Sequence, residues 1–347
     1  MIHPWLQPTW ARLVELGERL PHALLFVGPA GLGKRALAEA LAARLLCDAP
    51  AADGHACGKC EPCLWRLSGN HPDLHRVVPE AETAAAEGEG DGEAPAKAAS
   101  TQIRIDQIRE LQGALTVTGH HGSRRVVLLD PAEAMNGVTA NALLKLLEEP
   151  PEGCVFVLVS SSPRSLLPTI RSRCQQWHFG RPEADALARW AAHAAADARA
   201  LLALGGGMPL AAERLAQGGG AAMHARFVRD LGGLQAADVL RLAGQWEAWL
   251  RSKDALAAGF GLPELTDWMQ RWVSDLAALR LGGRVRFFPA QEGLLAALAA
   301  RTSVAAASAC YNELAQIRKV SRHPLSLRLV LEDMLMRYAR AVAGARG

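Results

Sequence analysis

The sequence carries no strong excess of either charge and no long apolar run. Lysine and arginine total 38 against 35 aspartates and glutamates, a net charge of +3, so bulk electrostatics do not predict a nucleic-acid-binding protein. No stretch reaches the ~18 consecutive apolar residues of a membrane-spanning helix. The first residues also lack the basic segment and following apolar segment of a secretory leader. We therefore expect a cytoplasmic protein with no membrane partner.

Aromatic residues are scarce as well, at 5% of the chain, whereas hydrophobic residues reach 50%. The hydrophobic fraction is ample for a buried core, and the frequent alanine, leucine and arginine favour helices. At 347 residues the chain is too long for one ordinary domain. Length and composition thus predict two or three domains of mainly helical or α/β type.

The odd number of cysteines argues against a disulfide framework. Of the seven, four lie close together in the sequence: Cys47, Cys57, Cys60 and Cys63. Four thiolates are the number that a closed tetrahedral structural Zn²⁺ site requires. The alternatives are a redox pair or an iron–sulfur cluster, but a redox pair more usually presents a single Cys-x2-Cys at the start of a helix. The cluster predicts a structural zinc site, and the other three cysteines are expected to be inert.

Short apolar runs alternate with helical patterns over the first half of the chain. Four runs predict buried strands and a fifth predicts an edge strand: Ala23–Val27, residues 74–78, Arg125–Leu129, Cys154–Ser160 and residues 175–179. Helix-forming segments lie between them, as in strand–helix–strand crossovers. The predicted fold class is therefore α/β, with a doubly wound parallel sheet.

Composition divides the chain further. Residues 79–100 are dominated by alanine, glutamate and glycine without apolar periodicity, which predicts a solvated, disordered insertion rather than an acidic functional segment. A shift in composition at Arg181 and Pro182 ends the α/β domain, predicted over residues 1–180. Residues 181–218 then predict a small helical lid, and residues 219–347 predict a helical C-terminal domain.

Residues 28–34 (GPAGLGK) follow the first predicted strand and precede a predicted helix, which is the context of a phosphate-binding loop. Backbone amides around Gly28, Gly31 and Gly33 would cradle phosphate oxygens, helped by the positive end of the helix. Lys34 would reach the β- and γ-phosphates. The alternative is a glycine-rich turn that holds no ligand.

Two positions depart from an ATP-hydrolysing site. Arg35 stands where the motif has a serine or threonine hydroxyl that coordinates Mg²⁺, and a guanidinium cannot ligate a cation. Asp130 ends the third strand as a metal-holding Walker B aspartate would, but Pro131 follows in place of the glutamate that polarises the attacking water. Glu133 is expected on a different face of the ensuing turn. Loss of a general base alone costs roughly 10²–10⁴-fold in rate, so we expect weak or absent ATP binding and no efficient hydrolysis.

Several stretches together resemble the clamp-loader branch of the AAA+ ATPases. The four-cysteine insertion, centred on residues 57–63, is followed by residues 71–73 (HPD), as in that family. Residues 141–151 (NALLKLLEEPP) are similar to a long family signature, and residues 172–174 (SRC) match a family motif. The resemblance covers about residues 21–217, while the remaining helices fit the family's collar domain only by length and helical character.

The resemblance implies a subunit of DNA polymerase III that assists the ATP-driven loading of a sliding clamp onto primed DNA. It implies an AAA+ domain, a lid and a collar that holds a ring of subunits together. The implied partners are the gamma/tau and delta subunits, the beta sliding clamp and, through the assembly, primer–template DNA. The assembly is a DNA-directed DNA polymerase, a nucleotidyltransferase, but neither polymerase activity nor efficient ATP hydrolysis is expected from this chain alone.

In the family, the arginine of the SRC motif acts in trans on the adjacent ATPase subunit. The resemblance implies this role for Arg173, with Arg171 as an accessory candidate. The departures at Arg35 and Pro131 point to a subunit that does not hydrolyse ATP. The alternatives are an active gamma/tau-type ATPase and, from another class, a zinc-dependent DNA-binding or redox module.

Overall fold

The computed structural model describes residues 2–87, 100–116, 124–320 and 326–343. The chain divides into two compact units, Met1–Ala186 and Leu187–Gly347. The first unit holds the α/β part and the second is helical. The finer division of residues 181–347 into a lid and a collar stays a prediction.

Among the residues that the structure describes, five strands form one parallel sheet in the first unit. They are β1 (Ala23–Val27), β2 (Leu74–Val77), β3 (Arg125–Leu129), β4 (Cys154–Ser160) and β5 (Gln175–His178), in the order β2-β3-β4-β1-β5. β1 and β4 are buried along their whole length, as expected of parallel strands covered on both faces. The predicted doubly wound parallel sheet is confirmed, with β5 at an edge.

The sheet order decides where functional side chains can meet. β3, β4 and β1 are neighbours and run in the same direction, with Val27 paired to Ser160 and Leu129 paired to Leu158. Their carboxyl ends therefore lie side by side. Ligand sites of open α/β sheets lie at this edge, and the loop at residues 28–34 starts there.

In the described part of this unit, seven α-helices accompany the sheet: α1 (Gln7–Leu16), α2 (Lys34–Leu45), α3 (Glu61–Leu67), α4 (Glu80–Glu87), α5 (Ile105–Thr116), α6 (Gly137–Glu148) and α7 (Pro168–Arg173). Asn136 caps α6, since its side-chain oxygen accepts the Thr139 N–H at 2.9 Å, which satisfies a donor that the first turn leaves free. Leu111 of α5 and Leu143 of α6 are buried in one cluster with strand residues such as Phe156. This cluster is part of the core beneath the sheet.

The helix α4 corrects one prediction. Residues 79–100 were expected to be disordered, but Glu80–Glu87 is helical, so that prediction is wrong for this part; residues 88–99 lie outside the described residues. Glu80 is paired with Arg104 at 3.0 Å and Glu82 is paired with Arg35. These partners are distant in the sequence, so local apolar periodicity gave no sign of them.

The second unit is built from helices around one hydrophobic core. They are α8 (Ala184–His193), which begins just before the unit boundary, α9 (Ala196–Ala200), α10 (Pro209–Gln217), α11 (Gly220–Gly232), α12 (Val239–Leu250), α13 (Lys253–Ala257), α14 (Leu262–Arg280), α15 (Glu292–Ala300), α16 (Val304–Val320) and α17 (Leu327–Val342). Trp272 and Tyr338 are fully buried, and the indole N–H donates to the phenol oxygen at 2.9 Å. Buried Asp275 accepts three backbone N–H groups, at residues 286–288, each at 2.9 Å.

Among the described helices, no single one has both the length and the apolarity to cross a membrane. One bent pair, Pro289–Ala300 with Val304–Lys319, passes by length and composition, with 115° between its members. Leu295, Leu298 and Leu314 of this pair are buried in the core of the second unit. Its apolarity is therefore accounted for by packing against other helices.

Candidate functional site

The loop at residues 28–34 joins β1 to α2. Gly31 and Gly33 have positive φ angles of 83° and 86°, a conformation that side-chain-bearing residues rarely adopt. A Cβ at Gly28 would clash with the carbonyl oxygen of Phe179. Three glycines are thus needed for the loop's own geometry, whether or not it holds a ligand.

The Lys34 ammonium is folded back onto this loop. Only 4% of the residue is exposed, and Nζ donates to the carbonyl oxygens of Gly28 at 2.7 Å and Pro29 at 2.8 Å. It also donates to Ser161 Oγ at 3.1 Å. A phosphate ligand would have to replace these acceptors before Lys34 could bind it.

Arg35 reaches across the carboxyl end of the sheet. Its guanidinium is ion-paired with the carboxylates of Asp130 and Glu82, and Nη2 donates to the Asp130 carbonyl oxygen at 3.3 Å. Burial lowers the pKa of Arg35, but the Glu82 hydrogen bond and the charges of Asp130 and Glu82 outweigh it, so the pKa is raised. The pKa of Asp130 is raised as well: burial raises it, and this effect outweighs the charge and the hydrogen bond of Arg35, which lower it.

These residues do not fit a Mg²⁺ ion. Mg²⁺ requires oxygen ligands in near-octahedral geometry, whereas the Arg35 side chain has only donors. The guanidinium also takes the carboxylate of Asp130, which would otherwise be the protein's metal ligand. The loop therefore keeps the geometry of a phosphate-binding loop, but the hydroxyl and the carboxylate that would hold Mg²⁺ beside it are missing or already paired.

Glu133, which we expected on a different face of the turn after Asp130, contacts a residue that binds Lys34 of the loop. It belongs to the short 3-10 turn Ala132–Ala134, and Oε1 accepts the Ser161 N–H at 2.9 Å. Its Oε2 is buried and has no hydrogen-bond partner within the described residues. Ser161 thus connects Glu133 to Lys34, a relationship that sequence reasoning missed; the serines after β4 were the available signal.

A cavity of about 370 Å³ opens beside Arg35. Its charged lining consists of Arg35, Arg76, Glu39, Glu82 and Asp130. Arg76 is already bound by both oxygens of Glu39, at 2.8 and 2.9 Å. Because three carboxylates face two guanidinium groups, this cavity is not an anion site.

The four predicted zinc ligands come together. The sulfurs of Cys47, Cys57, Cys60 and Cys63 all lie within 4.8 Å of one another. The Cys47 and Cys60 sulfurs are 3.8 Å apart, the separation of about 3.8 Å that a tetrahedral ion with Zn–S bonds of about 2.3 Å imposes. The group contains no histidine: His55 stacks on Trp10 with ring centroids 5.1 Å apart. The donor set and spacing fit a closed, structural zinc ion.

The thiols differ in their readiness to bind a metal. Backbone N–H groups of Lys59 and Cys60 lower the pKa of Cys57 to about 6. Burial raises the pKa of Cys63 to about 12, and it also raises the pKa of Cys47. Since metals bind thiolates, metal binding at neutral pH would release protons from the buried thiols. None of the seven cysteines, all of which lie in the described part of the chain, forms a disulfide.

Arg173 lies apart from the loop, at the last position of α7. Its guanidinium is ion-paired with Glu148, the last residue of α6, and Nη1 donates to the Thr169 carbonyl oxygen at 3.2 Å. The side chain is 34% exposed. Arg171, the accessory candidate, has a buried Nε without a hydrogen-bond partner in the described part of the chain. No sequence pattern indicated the contact between Arg173 and Glu148.

The parallel sheet, with a glycine-rich loop between β1 and α2, defines an α/β protein with the geometry of a phosphate-binding loop. The family described as DNA polymerase III, delta subunit, matches residues 10–183, and this chain belongs to the delta′ family of DNA polymerase III subunits. DNA polymerase III subunit delta′ of Pseudomonas aeruginosa is 41% identical over 288 residues, which cover 81% of this chain and 78% of that protein. Subunit delta′ of Escherichia coli is 30% identical over 347 residues, which cover 96% and 94%. Among solved structures, a gamma subunit-related protein of Thermotoga maritima shows 20% identity and a TM-score of 0.45, covering 96% of this chain and 99% of that chain.

Proposed function

We propose that this chain is a clamp-loader subunit of DNA polymerase III that does not hydrolyse ATP efficiently itself. It assists the ATP-driven loading of the sliding clamp onto primed DNA in the cytoplasm. Its partners are the gamma/tau and delta subunits, the beta clamp and, through the assembly, primer–template DNA. The observation that carries the proposal is the ion pair between Arg35 and Asp130, where an active site would hold its metal.

Three features of the loop region support the absence of hydrolysis. Lys34 donates to loop carbonyls, Arg35 occupies the carboxylate of Asp130, and Pro131 stands in place of the water-polarising glutamate. Each removes a different part of the apparatus that P-loop ATPases use. They argue against the alternative, an active gamma/tau-type ATPase.

The role proposed for Arg173 is to complete the ATP site of a neighbouring subunit. An arginine supplied in trans is worth about 10³–10⁵-fold in rate in other P-loop enzymes. The guanidinium has five N–H donors; within the described residues, Nη2 is engaged by Glu148 and Nη1 by the Thr169 carbonyl oxygen. Its position at a helix end and its partial exposure leave donors for a γ-phosphate.

The zinc ion proposed at the four cysteines is structural. Cys47 follows the end of α2, and Cys60 and Cys63 lie at the start of α3. A bound ion would fasten the helix after the phosphate loop to the next helix. Closed four-thiolate sites stabilise folds and leave no open position for catalysis.

The test uses the whole assembly. The chain is combined with the motor subunit, delta subunit and clamp of its own organism, and wild type is compared with Arg173→Ala and Arg173→Lys. We expect both variants to assemble and to lower ATP hydrolysis and clamp loading, because lysine keeps the charge but lacks the planar fork. Arg164→Ala, at an exposed position, is the matched control and should behave as wild type.

Two results would contradict the proposal. Unchanged ATP hydrolysis by an intact Arg173→Ala assembly would exclude the role in trans. ATP turnover by the isolated chain at the rate of its motor subunit would support the gamma/tau-type alternative instead.

A further inference from the structure

We propose that the Arg35 guanidinium takes the place of a divalent cation in this chain's P-loop site. The inference deepens the proposed lack of hydrolysis, but it concerns the isolated chain and its metal binding. It rests on the placement of one positive charge between two carboxylates from separate elements. Arg35 is the second residue of α2, Asp130 follows β3, and Glu82 is on α4.

The placement corresponds to that of a metal in an active P-loop site. There a hydroxyl at the start of the helix and the Walker B carboxylate hold Mg²⁺ between them. In this chain, the residue at the hydroxyl's position sends its guanidinium to the same carboxylate. Arg35 contacts both the carboxylate and the carbonyl oxygen of Asp130. One of the two positive charges that a divalent metal would bring is thus part of the chain.

The charges around Arg35 explain why a cation is needed. The Asp130 side chain is 18% exposed, so its carboxylate has lost much of its hydration. Asp130 and Glu82 both pair with the single guanidinium of Arg35, while Arg76 is paired with Glu39. Removal of Arg35 would leave two carboxylates facing the same cavity without their shared counter-charge, which is unfavourable in a partly buried place.

Arg35 also connects two helices of the fold, as a metal bound at the same place would. Through Glu82 it holds α4 against the start of α2, and Glu80 fixes the same helix to Arg104. Glu80 and Glu82 both lie in the first turn of α4, so two ion pairs attach the start of a segment without apolar periodicity to other parts of the unit. The internal cation makes this arrangement independent of nucleotide and of Mg²⁺.

The experiment measures Mn²⁺ binding to the isolated chain by electron paramagnetic resonance, and thermal unfolding with and without added Mn²⁺. Mn²⁺ prefers carboxylate and hydroxyl oxygens, which separates this site from the four thiolates. Wild type should bind no Mn²⁺ through Asp130 and should unfold at the same temperature with and without added Mn²⁺. Arg35→Ser should unfold at a lower temperature without metal, bind one Mn²⁺ about tenfold or more tightly than wild type, and regain stability on binding it.

Three further variants make the result specific. Arg35→Ser combined with Asp130→Asn should lose the Mn²⁺ site. Arg76→Ser, in the same cavity, should not create one, because it frees only Glu39. Arg35→Lys keeps a positive charge and should exclude Mn²⁺ as wild type does, and it serves if Arg35→Ser does not fold.

The inference is wrong if wild type already binds Mn²⁺ in an Asp130-dependent way. It is also wrong if a folded Arg35→Ser chain binds Mn²⁺ no better than wild type. A third contradicting result would be an Arg35→Lys chain that binds Mn²⁺ about tenfold or more tightly than wild type. None of these results depends on partner subunits. A failure here is therefore distinguishable from a failure of the role proposed for Arg173.

Discussion

The ion pair between Arg173 and Glu148 joins the ends of α7 and α6. It connects two signatures that the sequence presents separately, the SRC motif and the NALLKLLEEPP run. The two side chains are 34% and 46% exposed, and pairs of this kind stabilise a fold by only about 0–1 kcal/mol. We therefore expect the contact to matter for the position of the guanidinium at the helix end rather than for stability.

We predict that Glu148→Gln lowers ATP hydrolysis by the reconstituted assembly several-fold, with a smaller loss than Arg173→Ala. The amide can still accept a hydrogen bond, but it loses the charge that orients the guanidinium. The free energy of unfolding should change by less than about 1 kcal/mol. Steady-state ATP hydrolysis and urea unfolding are the two measurements.

Glu149→Gln is the matched control for this variant. It alters the adjacent exposed glutamate of the same run and should leave hydrolysis unchanged. Equal activity of Glu148→Gln and Glu149→Gln assemblies would mean that the ion pair does not position Arg173.

The cysteine cluster should hold one zinc ion per freshly reduced chain. Cys60→Ser should abolish the stoichiometric zinc and lower the unfolding temperature, because binding energy at a structural site is folding energy. His55→Ala, beside the cluster but outside the ligand group, should keep the metal. Zinc is counted by mass spectrometry after mild chelation. A stoichiometry near zero in wild type would count against the site.

Lys34 should stabilise the ligand-free loop. Lys34→Ala leaves the carbonyl oxygens of Gly28 and Pro29 without a buried donor, and we expect the free energy of unfolding to fall by about 1–3 kcal/mol. Lys145→Ala, at an exposed position in α6, should be nearly neutral. Urea unfolding of both variants checks this. If the two proved equally stable, the ammonium would not be held by the loop.

Much of the α/β unit could be predicted from the sequence, because parallel strands buried on both faces appear as continuous apolar runs. The bounds of β1, β3 and β4 match the predicted ones, whereas β2 and β5 each end one residue earlier, at Val77 and His178. Those two strands lie at the edges of the sheet. Because an edge strand pairs with a strand on one side only, its end is less sharply determined by the local sequence.

The candidate site was only partly predictable. The glycine-rich loop and the cysteine cluster are local patterns, so their residues could be named from spacing alone. The contacts of Arg35 with Glu82, Arg173 with Glu148, and Ser161 with Lys34 join residues far apart in the sequence. The order of the strands in the sheet decides which charged side chains contact each other, and the periodicity of the sequence does not reveal that order.

The last prediction concerns pH and the second unit. The His224 ring stacks on Phe288, with centroids 5.6 Å apart, and burial lowers its pKa below the ordinary 6.5. The unfolded chain therefore takes up a proton at His224 before the folded chain does. Stability from this group is complete above about pH 6.5 and is lost as pH falls through the lower folded pKa, with a slope of at most about 1.4 kcal/mol per pH unit.

His224→Phe keeps an aromatic ring without the titration and should lose less stability between pH 7.5 and 5.5, as measured by urea unfolding. His193→Phe, at an exposed position, should keep the wild-type slope, and an unchanged slope in His224→Phe would assign the pH dependence to other groups.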